Sequence, residues 1–290
     1  MHTREDFGPL ANLIGLWSGH HGINTIALPD GTVHGGGDPP VPAGIAFKAN
    51  TYNEMVLQFK ELGGPVPNRA VPDAQRVHAL EYEQRISQVE GPAPTGLQHV
   101  ENGLWMWTEP QHSVARSTSV PHGNAFLCWG GVTVTHDERP DIPDPDFTPD
   151  VGPHPSAELQ NFLVQWSEPI SFPGPPPVNT GVTPAHLNQA LIHMVDEQLA
   201  SGHTFLEVVK LEVSTVNSAP PHPGGVANTA FILENGNATA VQSTFWIEKV
   251  RARHGREFLQ LQYSQNISLT FDGIIWPHVD VNTLVKHVRE

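Results

Sequence analysis

Alternation is the property of this chain that most restricts its fold. In the stretch VHALEYEQRIS, residues 77–87, His78, Leu80, Tyr82, Gln84 and Ile86 fall on one face, and Glu81, Glu83, Arg85 and Ser87 on the other. That period of two belongs to a half-buried β-strand. Further strand candidates are 22–28, 54–60, 97–107, 114–120, 125–135, 204–216, 226–233, 239–250 and 257–271, mostly separated by Gly, Pro, Asn or Asp. About ten antiparallel strands joined by short turns predict an all-β barrel or sandwich rather than a parallel α/β fold. The stretch LIGLWSGHHG, residues 13–22, favours the closed form. Gly15, Trp17 and Gly19 alternate on one strand, which suits a backbone that bends or is closely approached, with an indole filling the space between. The expected fold is an up-and-down β-barrel.

Two departures from the rhythm mark its accessories. In FGPLANLIGL, Phe7, Leu10, Leu13 and Ile14 have helical spacing and predict a short helix that plugs one end of the barrel. Residues 136–202 hold acidic, proline-rich runs that cannot join a ladder, followed by TPAHLNQALIHMVDEQLASG at 183–202. There Thr183 suits an N-cap and Pro184 the first helical position, Leu187, Leu191, Met194, Val195 and Leu199 form one stripe, and Gly202 ends the helix. With too few apolar residues for a core of its own, 136–202 is expected to cover the barrel or one of its mouths, within a single domain spanning 1–290.

Charge and composition exclude several classes. Fifteen Lys and Arg against 30 Asp and Glu give a net charge of −15, which repels nucleic acid and anionic lipid surfaces. The apolar share of 38% is low, and 28 Pro with 26 Gly imply many turns and long ordered loops. The single cysteine, Cys128, forms no internal disulfide, and no secretion leader or membrane span is apparent, so a cytoplasmic protein is the expectation. Monomer and homodimer stay equally open.

The candidate site residues are aromatic, amide and imidazole side chains. EYEQRIS (81–87) and QYSQNIS (262–268) share Tyr-x-Gln-x-Ile-Ser, turning Tyr82, Gln84, Tyr263 and Gln265 inward either as satisfied core networks or as ligand contacts. Trp105 and Trp107 share a strand face as one broad apolar wall, and seven tryptophans in all suit a large apolar ligand as well as ordinary packing. His122, between Pro121 and Gly123, belongs to a turn at a barrel mouth, as a structural rim residue, a distal polar group or an acid–base group. His20 and His21 point to opposite faces. His186 and His193 read as part of an exposed helix stripe, HGGGD at 34–38 as a loop, and Cys128 as a small core residue without a basic neighbour. No His-x-His, HExxH or CxxCH spacing, nucleophile elbow or phosphate-binding loop occurs.

LIGLWSGHHG also resembles the Gly-x-Trp-x-Gly entry strand of calycin barrels, in particular the nitrobindin-like heme-binding β-barrels related to fatty-acid-binding proteins. HVENGLWMW (99–107), VARSTSVPHGNA (114–125) and FLQLQYSQNISLTFDGIIWPHVDVNTLV (258–285) add to the likeness, which spans roughly 1–135 and 203–290; the 136–202 insertion has no counterpart in the short members. The resemblance implies an intracellular barrel holding heme b, with His278 as the iron ligand. Trp276, Trp17, Trp105, His122, Tyr82, Gln84, Tyr263 and Gln265 would line the site. Ferric heme so held would meet nitric oxide and isomerise peroxynitrite or act like a peroxidase. Two alternatives stand beside it: a heme-free lipocalin-like carrier of a small hydrophobic molecule, and a cofactor-independent enzyme using His122 with a Tyr or Glu.

Overall fold

The computed structural model describes residues 4–20, 22–29, 45–52, 54–67, 75–88, 96–172, 178–216 and 225–288. Ten strands close into an antiparallel barrel: β1 (Gly15–Gly19), β2 (Glu54–Glu61), β3 (Arg76–Gln88), β4 (Gly96–Glu109), β5 (Ser113–Val120), β6 (Asn124–His136), β7 (Thr204–Ser214), β8 (Asn237–Arg251), β9 (Glu257–Phe271) and β10 (Ile274–Lys286). Each pairs with the next along the chain, and β10 returns to β1 through Trp17↔Lys286. The expected up-and-down barrel is therefore the observed one. The tight β9–β10 hairpin turns on Asp272 and Gly273, both at positive φ (51° and 72°), as a two-residue hairpin matched to strand twist requires.

The entry strand shows why its glycines alternate. β1 is short, and the wall continues in Gly22–Pro29, which pairs with β10 through Asp280↔Asn24 and forms a hairpin with Ile45–Tyr52. At Gly19 a Cβ would lie 2.4 Å from the backbone oxygen of Thr283, so only glycine lets β1 approach β10 there. Trp17 fills the interior beside it, fully buried, its Nε1 donating to Leu13 O at 2.7 Å.

Leu13 belongs to the plug. Phe7, Leu10 and Leu13 are buried among Trp17, Leu80, Trp105 and Trp107, closing one end of the barrel as anticipated. The plug is a 3-10 helix, Arg4–Leu13, broken at Gly8 (φ 49°, ψ −128°), rather than a helix running to residue 16, because Gly8-Pro9 interrupts the regular turn. Two other expectations fail locally. Residues 226–233 split into a strand, Gly225–Asn228, on the edge of β6 and a short helix, Ala230–Glu234, since the continuous apolar run there has no period to separate strand from helix. β10 was absent from the expected strands because Pro277 interrupts it, yet Pro277 stands before residues 279–281, where Gly22–Pro29 pairs.

The 136–202 segment sheathes the outside of the barrel. It contains the helices α1 (Ala157–Leu163) and α2 (Gln189–Ala200), and Ser156 Oγ caps α1 by accepting from Leu159 N at 3.1 Å. Leu187, Leu191 and Val195, with Phe147, Ile170 and Val182, pack on Val208, Trp246, Val250, Val279 and Val281, the outward residues of β7, β8 and β10. Phe162 and Trp166 cover the β9–β10 hairpin around Trp276. The helix expected from 183 begins only at Gln189: Pro184–His186 forms a separate 3-10 turn, Thr183 makes no side-chain cap, and Leu199 is exposed. Among the described residues no helix is long and apolar enough to cross a membrane.

Candidate functional site

Inward alternation places charge in the middle of the barrel. On β5, Val114, Arg116, Thr118 and Val120 face inward, and on β4 Glu101 shares a face with Trp105 and Trp107. Arg116 donates through Nη2 to Glu101, through Nη1 to Gln265 Oε1 (2.6 Å) and Ser243 Oγ (2.9 Å), and through Nε to Tyr82 Oη (3.1 Å). The rings of Tyr82, Trp105, Phe126 and Phe245 surround its guanidinium at 5.3–5.5 Å. Tyr82 Oη donates to Glu101 at 2.6 Å and shares a short contact with Thr118 Oγ1. Burial opposes the Glu101 charge, but the Arg116 guanidinium together with His99 and the Tyr82 hydroxyl outweighs it and holds the carboxyl down to about 2. The pair is charged, fully enclosed and held by hydrogen bonds from Nε, Nη1 and Nη2 of Arg116.

Beside this network lies a second polar group, Asp280 being the cross-strand partner of Gln265. Tyr263 Oη donates to Asp280 Oδ2 at 2.9 Å, and Gln84 Nε2 donates to Tyr263 Oη at 3.3 Å. Burial raises the Asp280 carboxyl to about 7. Beyond it three histidines gather toward the end opposite the plug. His122, exposed on the β5–β6 turn, stacks on His99 with centroids 5.5 Å apart. His99 Nε2 stands 3.7 Å from Glu101 Oε2. His278, half-buried on β10, holds its Nε2 2.7 Å from Asn24 Nδ2. Burial, reinforced by His99 and His122, pushes His278 down to about 3, and burial with His99 lowers His122. These two imidazoles are neutral at physiological pH.

The anticipated residues thus separate by position. His278 and His122 lie toward the end opposite the plug, and Gln84 and Tyr263 join Asp280 in the interior. Tyr82 and Gln265 are committed to Arg116, so the repeated Tyr-x-Gln segments face each other across the barrel as a satisfied network. Trp17 and Trp105 are fully buried in the plugged end, Trp105 against Phe245 at 4.9 Å, and line no part of the mouth. Trp276, expected at a ligand edge, is fully buried between Phe271, Phe162 and Trp166, because the insertion covers it. Cys128 is buried as expected, but a basic neighbour does exist: Arg116 is its cross-strand partner. Burial nevertheless pushes the thiol up to about 12, so it is no nucleophile. His20, His186 and His193 are exposed, and His21 and residues 34–38 lie outside the described residues.

Sequence reasoning missed Arg116, Glu101, Asp280, His99 and Asn24. For the first three the signal was present, since alternation puts each charge on an otherwise inward face. Nothing in the sequence revealed that His99 would meet His122 or that Asn24 would reach His278.

Among the described residues no group of three or more His, Cys, Asp or Glu side chains is arranged around a free metal ion. An axial heme ligand makes a smaller demand: one unprotonated imidazole nitrogen, with the other held by a partner. His278 fits it, with Nε2 engaged by Asn24 and Nδ1 left to ligate once the amide presents its oxygen. Because Asp280, Arg116 and their partners line the interior below His278, the porphyrin's place would be the end opposite the plug. Open depressions of about 850 and 360 Å³ lie elsewhere, the larger beside the plugged end along Ile14, Leu16, Lys60 and Leu259.

Fold and site together define a closed, ten-stranded meander barrel with a plugged base, a buried ion pair and a histidine-lined mouth. It is compatible with a calycin-like fold and with binding of a hydrophobic ligand. No known family's sequence model and no curated protein matches the chain.

Proposed function

We propose that this chain is a small-molecule-binding barrel whose ligand seats at the histidine mouth, and that ferric heme b, held by His278, is that ligand. The observation that carries the reading is His278 itself: a neutral, half-buried imidazole with one nitrogen already engaged by Asn24 and two further histidines beside it. The resemblance of the entry strand and of WPHVDVNTLV to nitrobindin-like barrels supports the choice of heme. Bound there, ferric heme supplies a coordination position for small diatomic ligands such as nitric oxide. The protein's own part is to keep His278 unprotonated, to orient it through Asn24 and to close the space beneath it.

Titration with hemin, followed in the Soret region, tests this. The expected result is a sharpened band that saturates at one hemin per chain, is lost in His278→Ala and weakens about tenfold or more in Asn24→Ala. A spectrum that stays that of free hemin, or one unchanged by His278→Ala, overturns the heme reading. Mass spectrometry of an organic extract would then identify a carrier's ligand.

A further inference from the structure

The two halves of the barrel interior repeat one arrangement with one difference. Tyr82 on β3 donates to the carboxylate of Glu101 on β4 at 2.6 Å, and Tyr263 on β9 donates to the carboxyl of Asp280 on β10 at 2.9 Å. Glu101 is completed by the guanidinium of Arg116. Asp280 has no such partner: it is only 8% exposed, its Oδ1 is buried, and among the described residues nothing hydrogen-bonds to that oxygen. An enclosed carboxyl oxygen without a donor is costly, and the same barrel shows what relieves it.

We propose that Asp280 is the anchor of a recognition site for a small organic cation bearing N–H donors, an amidinium or a primary ammonium, which enters through the histidine mouth and stands to Asp280 as Arg116 stands to Glu101. The inference rests on the mouth being the ligand site, not on the ligand being heme. A net charge of −15 attracts such a cation. Arg116, already neutralised by Glu101, does not compete for Asp280. The groups acting on Asp280 are Tyr263, which bonds it, and His99, Glu101 and Arg116 at longer range.

Benzamidine and its neutral isostere benzamide are the probes, compared by calorimetry on the full chain at pH 8. The expected result is about tenfold or greater preference for benzamidine. The near-isosteric Asp280→Asn should abolish the preference, while Tyr263→Phe, which keeps the carboxyl, should retain it. Equal affinity for the two probes, binding of neither, or a preference that survives Asp280→Asn overturns the inference. Hemin titration of the same preparation separates the two readings: His278-dependent hemin binding without a benzamidine preference overturns only the cation site, and the reverse overturns only heme.

Discussion

Arg116 and Glu101 form an ion pair at the centre of the barrel, each side chain only 1% exposed, with Tyr82, Ser243 and Gln265 accepting from the same guanidinium. Desolvating two charges is expensive, so the pair contributes through its completeness rather than through net attraction. Breaking it from one side leaves a buried, unpaired charge. Arg116→Met or Glu101→Leu alone should lose about 3–5 kcal/mol, and the double change Arg116→Met with Glu101→Leu should recover a large part of that. Urea denaturation of the four proteins measures it, and additive losses would contradict the coupling.

Gly103 on β4 is fixed by its neighbour strand. A Cβ there would lie 1.9 Å from the backbone oxygen of Ser117, so Gly103→Ala forces β4 and β5 apart directly beside the ion pair. The expected loss is about 2 kcal/mol or more, seen as a lower melting temperature. An unchanged melt would mean the strands can part freely.

The plug should behave as core. Phe7 is 2% exposed and Leu10 is fully buried against the tryptophan wall. Phe7→Ala should cost about 3–5 kcal/mol and Leu10→Ala about 2–5 kcal/mol. Losses below about 1 kcal/mol would indicate that the barrel closes without the plug.

Stability should fall on both sides of a mildly acidic optimum. Glu248, fully buried beneath α2 and accepting from Gln260 Nε2 at 2.6 Å, is raised by burial to about 8. Its contribution is complete below the ordinary carboxyl value of about 4.3 and is lost as pH rises through 8. His278, lowered by burial to about 3, has the opposite sense: its contribution is present above the ordinary value of about 6.5 and is lost as pH falls toward 3. Asp280, raised by burial to about 7, adds to the alkaline loss. Thermal melts from pH 4 to 9 should show both limbs, and Glu248→Gln should reduce the alkaline one and raise the melting temperature at pH 8. An alkaline limb unchanged in Glu248→Gln would mean that Glu248 does not contribute to it.

Much of the fold was legible because alternation is a local property. His78, Leu80, Tyr82, Gln84 and Ile86 fall on the inward face of β3 because side chains in a strand alternate sides whatever the partner strand is. The parity of Arg116, Glu101 and Asp280 was equally visible, and treating charge as exposed by default hid them. What alternation cannot supply is register. Gln260 and Gln262 on β9 face outward, as a solvent face would, yet they are buried because α2 lies over them, Gln262 Nε2 donating to Leu191 O at 3.2 Å. Trp276 turned from a ligand edge into packing for the same reason.

By itself, then, the sequence determined an antiparallel barrel of about ten strands, a plugged end, the close approach at Gly19 and the inward set of tyrosines, glutamines and tryptophans, all consequences of residue spacing and backbone sterics. Tertiary structure alone decided which of those inward groups meet. Closing β10 onto β1 and Gly22–Pro29 brought Asn24 to His278, residues 254 apart in sequence, and crossing the barrel joined Arg116 to Gln265, 149 apart. It also left Asp280 without the cation that Glu101 received. Those outcomes depend on barrel closure and strand register, which are properties of the whole chain and of no single segment.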